Sequence, residues 1–188
     1  MNTSGTPSLL PASPWIARHL PRADGSGTLL DVAAGRGRHV ALALDRGYQV
    51  TALDRDTAGL SRFGNGAAVE VIEADLEDGD AGTAPWPLPG RSFAVVVVTN
   101  YLWRPLFPHL LAAVAPDGLL LYETFARGQE ALGRPRNPDF LLGRNELLDR
   151  VRPTLDVIAF EDLVDPDPEP AVRQRIAARR RAAVDASR

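Results

Sequence analysis

Residues 28–40 place a carboxylate, a tight glycine turn and a helix start in immediate succession. Leu29-Leu30-Asp31-Val32 is an apolar run carrying one acid, and Ala33-Ala34-Gly35-Arg36-Gly37-Arg38-His39 follows it. Glycine adopts positive φ readily and lets a backbone approach a ligand closely. A helix N-terminus behind such a turn offers unpaired N–H groups to a polar ligand. This is the pattern of a nucleotide- or cofactor-binding crossover. It departs from the dinucleotide fingerprint twice: the acid precedes the glycines, and Val40 holds the place of the third glycine. Further acids close later apolar runs, Asp54 after residues 49–53 and Asp75 after residues 69–73. A carboxylate at the end of a second strand can accept from both ribose hydroxyls. Asn100 and Glu123 end two more such runs.

The elements that must hold these groups are legible from periodicity and punctuation. Ser13-Pro14 opens a short helix over Trp15–Leu20, with Ser as cap and Pro at its first position. Strands are expected over Thr28–Val32, Gln49–Leu53, Val69–Glu73, Phe93–Val98, Leu119–Glu123 and Leu155–Phe160. The four consecutive valines of 95–98 suit a strand covered on both faces. Helices are expected over Arg38–Arg46, ended by Gly47, then weakly over Thr57–Phe63, over Pro105–Ala115 and over Arg144–Val151. Pro116-Asp117-Gly118 reads as a turn, 124–143 as a long loop, and the prolines of 165–170 as a stiff turn. Ala171–Ala178 is read as a last strand in preference to a helix. Strands alternating with helices give a mostly parallel, doubly wound α/β sheet. Ligands in such sheets sit beyond the carboxyl ends of the strands, where Asp31, Asp54, Asp75, Asn100 and Glu123 fall.

Composition narrows the chemistry. The 188 residues suit one domain, expected over 13–180 between a loose segment, 1–12, and a basic tail, 181–188. A net charge of −3 gives no reason to expect nucleic acid as a partner. No apolar run has membrane-spanning length and no signal peptide is evident, so a cytoplasmic location is the expectation. There are 0 Cys, which removes thiol nucleophiles and thiolate metal sites. All 21 basic residues are Arg, which removes Schiff-base lysines and the P-loop lysine. Gly-x-Ser-x-Gly is absent, so a hydrolase elbow has no support.

Three stretches carry a resemblance: Leu30-Asp31-Val32-Ala33-Ala34-Gly35-Arg36-Gly37-Arg38-His39, then Ala52-Leu53-Asp54, then Glu73-Ala74-Asp75-Leu76. Across roughly 14–180 the chain resembles the class I S-adenosylmethionine-dependent methyltransferases, and within them small bacterial enzymes related to the tellurite-resistance methyltransferases. The resemblance implies a Rossmann-like, mostly parallel seven-stranded sheet whose last strand is antiparallel, with S-adenosyl-L-methionine as cofactor. It also implies cofactor-binding roles for Asp31, Ala33, Gly35, Gly37, Asp54, Arg55, Asp75, Leu76 and Asn100. Asp31 would face the methionine ammonium, Asp54 the ribose, and Asp75 the adenine amino group with the Leu76 amide near the ring.

Methyl transfer is an in-line displacement at an activated carbon, so positioning does most of the work. A base is needed only where the nucleophile carries a proton, and Tyr101, Glu123 and His39 are the candidates by location; a polar packing role for His39 stands beside that reading. Strand four ends in Thr99-Asn100, without the acidic pair of a magnesium-dependent enzyme, so no metal is expected. Arg104, Arg127, Arg134 and Arg136, with Arg144, would favour an anionic acceptor if they converge; a solvated Arg-rich loop is the alternative. The acceptor is expected to be a small molecule. An NAD(P)-type oxidoreductase shares the glycine turn but leaves Asp31 and Asp75 unexplained, and a non-enzymatic cofactor-binding module is a second alternative.

Overall fold

A computed structural model describes residues 9–25, 27–64, 66–79, 84–166 and 170–182. Most of the expected loose segment, the centre of the proline turn and the end of the basic tail lie outside the described residues. Seven strands form one sheet in the order β3-β2-β1-β4-β5-β7-β6. They are β1 (Thr28–Val32), β2 (Gln49–Asp54), β3 (Val69–Glu73), β4 (Phe93–Thr99), β5 (Val114–Phe125), β6 (Asp156–Asp165) and β7 (Ala171–Arg179). The first five run parallel, and β7 is antiparallel to both β5 and β6. Ala171–Arg179 is therefore a strand, as its sequence suggested, and the Rossmann-like methyltransferase sheet is observed.

Period-two alternation divides the core between the two faces of the sheet. Leu29, Val95, Val97, Leu119, Leu121 and Ala177 pack under α1 (Pro14–His19) and α2 (Arg38–Asp45). Leu30, Val32, Val96, Val98, Leu120, Tyr122, Ile176 and Ala178 pack under α3 (Phe107–Ala112) and α5 (Glu146–Val151). The valines of β4 thus serve both layers. Ser13 caps α1 through its side chain, which accepts from the Ile16 N–H, and Trp15 Nε1 reaches the Ile176 carbonyl at 3.4 Å. That bond lays α1 across the antiparallel end of the sheet.

Four sequence expectations change. The segment 105–115 is not one helix: a 3₁₀ turn, Arg104–Leu106, leads into a six-residue α3, and β5 starts at Val114. Pro116-Asp117-Gly118 interrupts a long strand instead of separating a helix from a strand. The β4–β5 register slips there from Phe93↔Val114 to Val95↔Leu119, with Asp117 at φ +60°. Thr57–Phe63 forms a 3₁₀ segment over Ala58–Phe63.

The fourth change concerns the long connection after β5, read as a loop, which carries short helical turns and specific bonds. It holds a single turn, α4 (Gln129–Leu132), and a 3₁₀ turn, Pro138–Phe140. Arg104 donates to the Asp139 carbonyl at 2.6 Å, the Leu141 carbonyl at 2.9 Å and the Glu146 carboxylate at 2.8 Å. Gln129 accepts from the Val172 N–H and donates to the Arg134 carbonyl. These bonds fold the connection back over the carboxyl edge of the sheet. No described helix is long and apolar enough to cross a membrane.

Candidate active site

The glycine turn lies between β1 and α2. Ala33, Gly35 and Gly37 all have positive φ, at +56°, +56° and +80°. A Cβ at Gly35 would enter open space, whereas at Gly37 it would stand 2.3 Å from the Phe63 ring. Gly37 is therefore demanded by the packing of the 58–63 segment on the turn as well as by its φ, a constraint the sequence pattern did not suggest. Asp54, at the end of β2, locks the turn from the other side. Its Oδ2 accepts the Gly35 N–H at 2.7 Å and its Oδ1 accepts the Asp56 N–H at 2.9 Å. Each oxygen keeps a further acceptor site for a ligand hydroxyl.

Asp31 is 1% exposed, and neither carboxylate oxygen has a hydrogen-bond partner among the described residues. Burial pushes its pKa up to about 7; Arg38 opposes the rise and Asp54 adds to it. A buried carboxylate without a partner is costly.

Two cavities adjoin at the carboxyl edge of the sheet. The first, about 270 Å³, is lined by Ala33, Asp54, Arg55, Asp75, Leu76 and Tyr101, among others. The second, about 210 Å³, is lined by Asn100, Tyr101, Thr124, Phe125, Pro135 and Phe140. Glu77, Tyr101 and Phe140 border both. Asp75 is fixed by its own turn, Oδ1 accepting the Glu77 N–H at 2.9 Å. Asn100 sits at φ +54° and its Oδ1 accepts from Arg173 at 2.6 Å. The sequence reading missed Glu77 and Arg173. Glu77 was hidden in an acid-rich run, and Arg173 comes from the last strand, more than seventy residues from its partner.

The candidate bases are differently placed. Tyr101 stands at the junction of the cavities, its hydroxyl bonded to Glu77; burial and that carboxylate push its pKa well up, so it stays a phenol. His39 is 2% exposed under α1, its Nε2 accepting the Ser13 N–H at 3.1 Å and its Nδ1 3.4 Å from Thr99 Oγ1. Burial, helped by Arg38, holds its pKa down to about 3. The ring is a neutral clasp between α1, α2 and β4. Glu123 is 4% exposed and lies 3.0 Å from Arg175 Nε without hydrogen-bond alignment. The same guanidinium also pairs with Glu161 and Asp165.

Nor do the arginines of the long connection and its flanks converge. Arg104 is committed to Glu146 and two backbone carbonyls. Arg127 and Arg144 line a separate surface hollow with Asp162 and Gln174. Arg134 and Arg136 are exposed and line neither of the two adjoining cavities.

Residues 29–118 match the family described as methyltransferase domain. No curated protein sequence matches the chain. An S-adenosylmethionine-dependent methyltransferase from Mesorhizobium loti shares the fold with a TM-score of 0.69 at 19% identity, over 89% of this chain and 96% of that one. TehB from Haemophilus influenzae gives 0.62 at 14% identity, over 84% of this chain and 58% of that protein. The 1,6-didemethyltoxoflavin-N1-methyltransferase of Burkholderia thailandensis was solved with 1,6-didemethyltoxoflavin and S-adenosylhomocysteine bound. It gives 0.57 at 19% identity, over 83% of this chain and 72% of that one. The chain thus has the class I methyltransferase fold, and its residues 29–118 match a methyltransferase domain.

Proposed function

We propose that this chain transfers a methyl group from S-adenosylmethionine to a small-molecule acceptor seated in the second cavity. The observation that carries the reading is the pair of adjoining cavities at the carboxyl edge of the sheet, sharing Tyr101. The residues fit the cofactor. Asp31, two residues before the Ala33 that lines the first cavity, has two unpartnered buried oxygens that a cation would satisfy, and the Gly35 position opens into free space. When bound, S-adenosylmethionine supplies a methyl group on a sulfonium carbon already activated for displacement.

The chain's own residues then bind, orient and shield. Asp54 offers its remaining acceptor sites to the ribose, and Asp75 and Leu76 border the adenine end of the first cavity. Tyr101, as a neutral phenol, separates the two chambers. Positioning of this kind is worth roughly 7–11 kcal/mol in barrier height. His39 and Glu123 are held in the packed layer under α1 and α2 and take no proton from the acceptor. Glu77 is the one carboxylate lining the second cavity among the described residues. It receives the proton where an acceptor must lose one. The lining of rings, an amide and one acid suits a neutral or basic planar acceptor better than an anion.

A thermal-shift comparison tests the reading. S-adenosylhomocysteine is expected to raise the melting temperature and NADH to leave it unchanged, because only a bound ligand stabilises. The reverse ranking would return the chain to the oxidoreductase class. S-adenosylhomocysteine release across amines, heteroaromatics, thiols, carboxylates and oxyanions then identifies the acceptor; binding without turnover on any of them would favour a non-enzymatic module.

A further inference from the structure

Among the described residues, Glu77, Tyr101 and Phe140 border both cavities. They mark the junction across which a methyl group has to pass, and they are one acid and two rings. Both rings are held from outside the site. The Tyr101 hydroxyl donates to the Glu77 carboxylate, and the Tyr101 carbonyl accepts from the buried Tyr122 hydroxyl at 2.9 Å. Phe140 is 40% exposed, yet the backbone on either side of it is pinned, because Arg104 donates to the Asp139 and Leu141 carbonyls. Polar bonds, not burial of the ring itself, thus keep Phe140 at the mouth of the site.

The charge lining the second cavity has one sign. Glu77 borders it, and no Arg or His does among the described residues. Arg173 stands behind the wall, 4.2 Å from the Phe125 ring centroid and donating to Asn100 Oδ1 at 2.6 Å. It covers one face of Phe125, which leaves Tyr101 and Phe140 as the rings offered to a ligand. Ring faces attract cations, and an acid beside them adds to the attraction. A thiolate, carboxylate or oxyanion gains nothing from either and is repelled by Glu77. A neutral alcohol gains only apolar contact. Space also limits the guest: a cavity of about 150 Å³ holds benzene, so one of about 210 Å³ suits a single ring with a short arm.

We propose that the acceptor is a small amine, bound as its ammonium against the Tyr101 and Phe140 rings with Glu77 as counter-ion. This acceptor class rests on the methyltransferase reading above. The ammonium gives one N–H proton to the Glu77 carboxylate, which frees the nitrogen lone pair. That lone pair forms the new N–C bond as the C–S bond breaks and its electron pair passes to sulfur. The charge of the sulfonium is lost, the product nitrogen carries one, and Glu77 passes its proton to solvent. The guest is cationic before and after transfer, so the rings and the acid serve substrate and product alike. Arg173 opposes the charge of the bound ammonium and so favours the loss of its proton.

Calorimetry on the full chain saturated with S-adenosylhomocysteine tests the assignment. The probes are benzylamine, a cation at pH 7, the neutral benzyl alcohol and the anionic benzoate. Wild type is expected to bind benzylamine at least about tenfold more tightly than benzyl alcohol, and benzoate more weakly than either. Glu77→Gln is expected to erase most of the amine-to-alcohol ratio. Phe140→Leu keeps apolar bulk and is expected to lower that ratio about threefold, the share of one ring. Each ratio is taken within one protein, so a general loss of shape leaves it unchanged. Absence of benzylamine binding, a wild-type ratio near one, or a ratio that neither variant moves would overturn the proposal. So would turnover in the acceptor panel confined to thiols, carboxylates or oxyanions. Failure of wild type to bind S-adenosylhomocysteine would instead sink the methyltransferase reading itself.

Discussion

If Asp31 holds a cationic group of the cofactor, as proposed, binding depends on pH. Its pKa of about 7 in the free protein lies far above that of an exposed aspartate, and a cationic ligand group requires the ionised form. Affinity for S-adenosylhomocysteine is therefore expected to rise by about tenfold per pH unit between pH 5 and 6.5 and to level off above 7. Binding near pH 6 should release a proton, read as a dependence of the calorimetric heat on buffer ionisation enthalpy. Asp31→Asn should abolish both effects; a pH slope that survives it would assign the proton elsewhere. The folded pKa is raised, so the stability Asp31 contributes is full below about pH 4 and lost as pH rises through 7. The same variant should thus raise the melting temperature of the apoprotein at pH 7.5, a cost of function to stability. Glu77 is the other residue whose chemistry can be isolated. Glu77→Gln is expected to lower kcat about 100-fold or more for acceptors that must lose a proton. Affinity for S-adenosylhomocysteine should change much less. Asp31 and Asp54 stood out in the sequence because each is the acid at the end of an apolar run next to the glycine turn. Glu77 and Arg173 were not, since what distinguishes them is a cavity wall and a partner on another strand.

The connection after β5 is the element where local pattern and structure diverge most. Residues 124–143 carry glycines, prolines and arginines that read as a loop. What orders them is non-local: Arg104 reaches carbonyls 35 and 37 residues away, and Gln129 reaches Val172. Hydrophobic periodicity carries no trace of such bonds. They also bring Phe140 to both cavities, so the bracket shapes the site without touching a ligand. Arg104→Ala is expected to cost about 1.5–3 kcal/mol in denaturant unfolding, the range for hydrogen bonds to charged groups. It should raise the acceptor KM more than it weakens cofactor binding. An unchanged KM would show that the segment keeps its shape without the bracket. The strands were read more accurately. Thr28–Val32 and Val69–Glu73 appear with the bounds their apolar runs suggested, because period-two burial is a local property. The helix before β5 was overextended, because Ala113 and Val114 suit a helix by composition yet fall in the crossing to a strand paired with Phe93.

At the scale of the molecule, α1, α2 and the sheet share one polar clasp. His39 is buried neutral, its pKa down at about 3, between Ser13 and Thr99. The unfolded chain takes up a proton there below about pH 6.5 while the native state does not. Stability is therefore expected to fall with pH from 6.5 towards 3, this residue contributing about 1.4 kcal/mol per pH unit. Urea unfolding across that range should flatten by one proton's worth in His39→Gln; an unchanged slope would free the ring from this role. The clasp joins α1 to the strand that ends in Thr99, next to Asn100, so acid stability and site geometry draw on the same contacts. The account as a whole depends on the first cavity being the cofactor's, and Asp54 is the residue through which that is most directly tested. Calorimetric titration of S-adenosylhomocysteine into wild type and Asp54→Ala is expected to show binding by the former and a loss of about 10–100-fold in the latter. Equal affinity in the two proteins would contradict it.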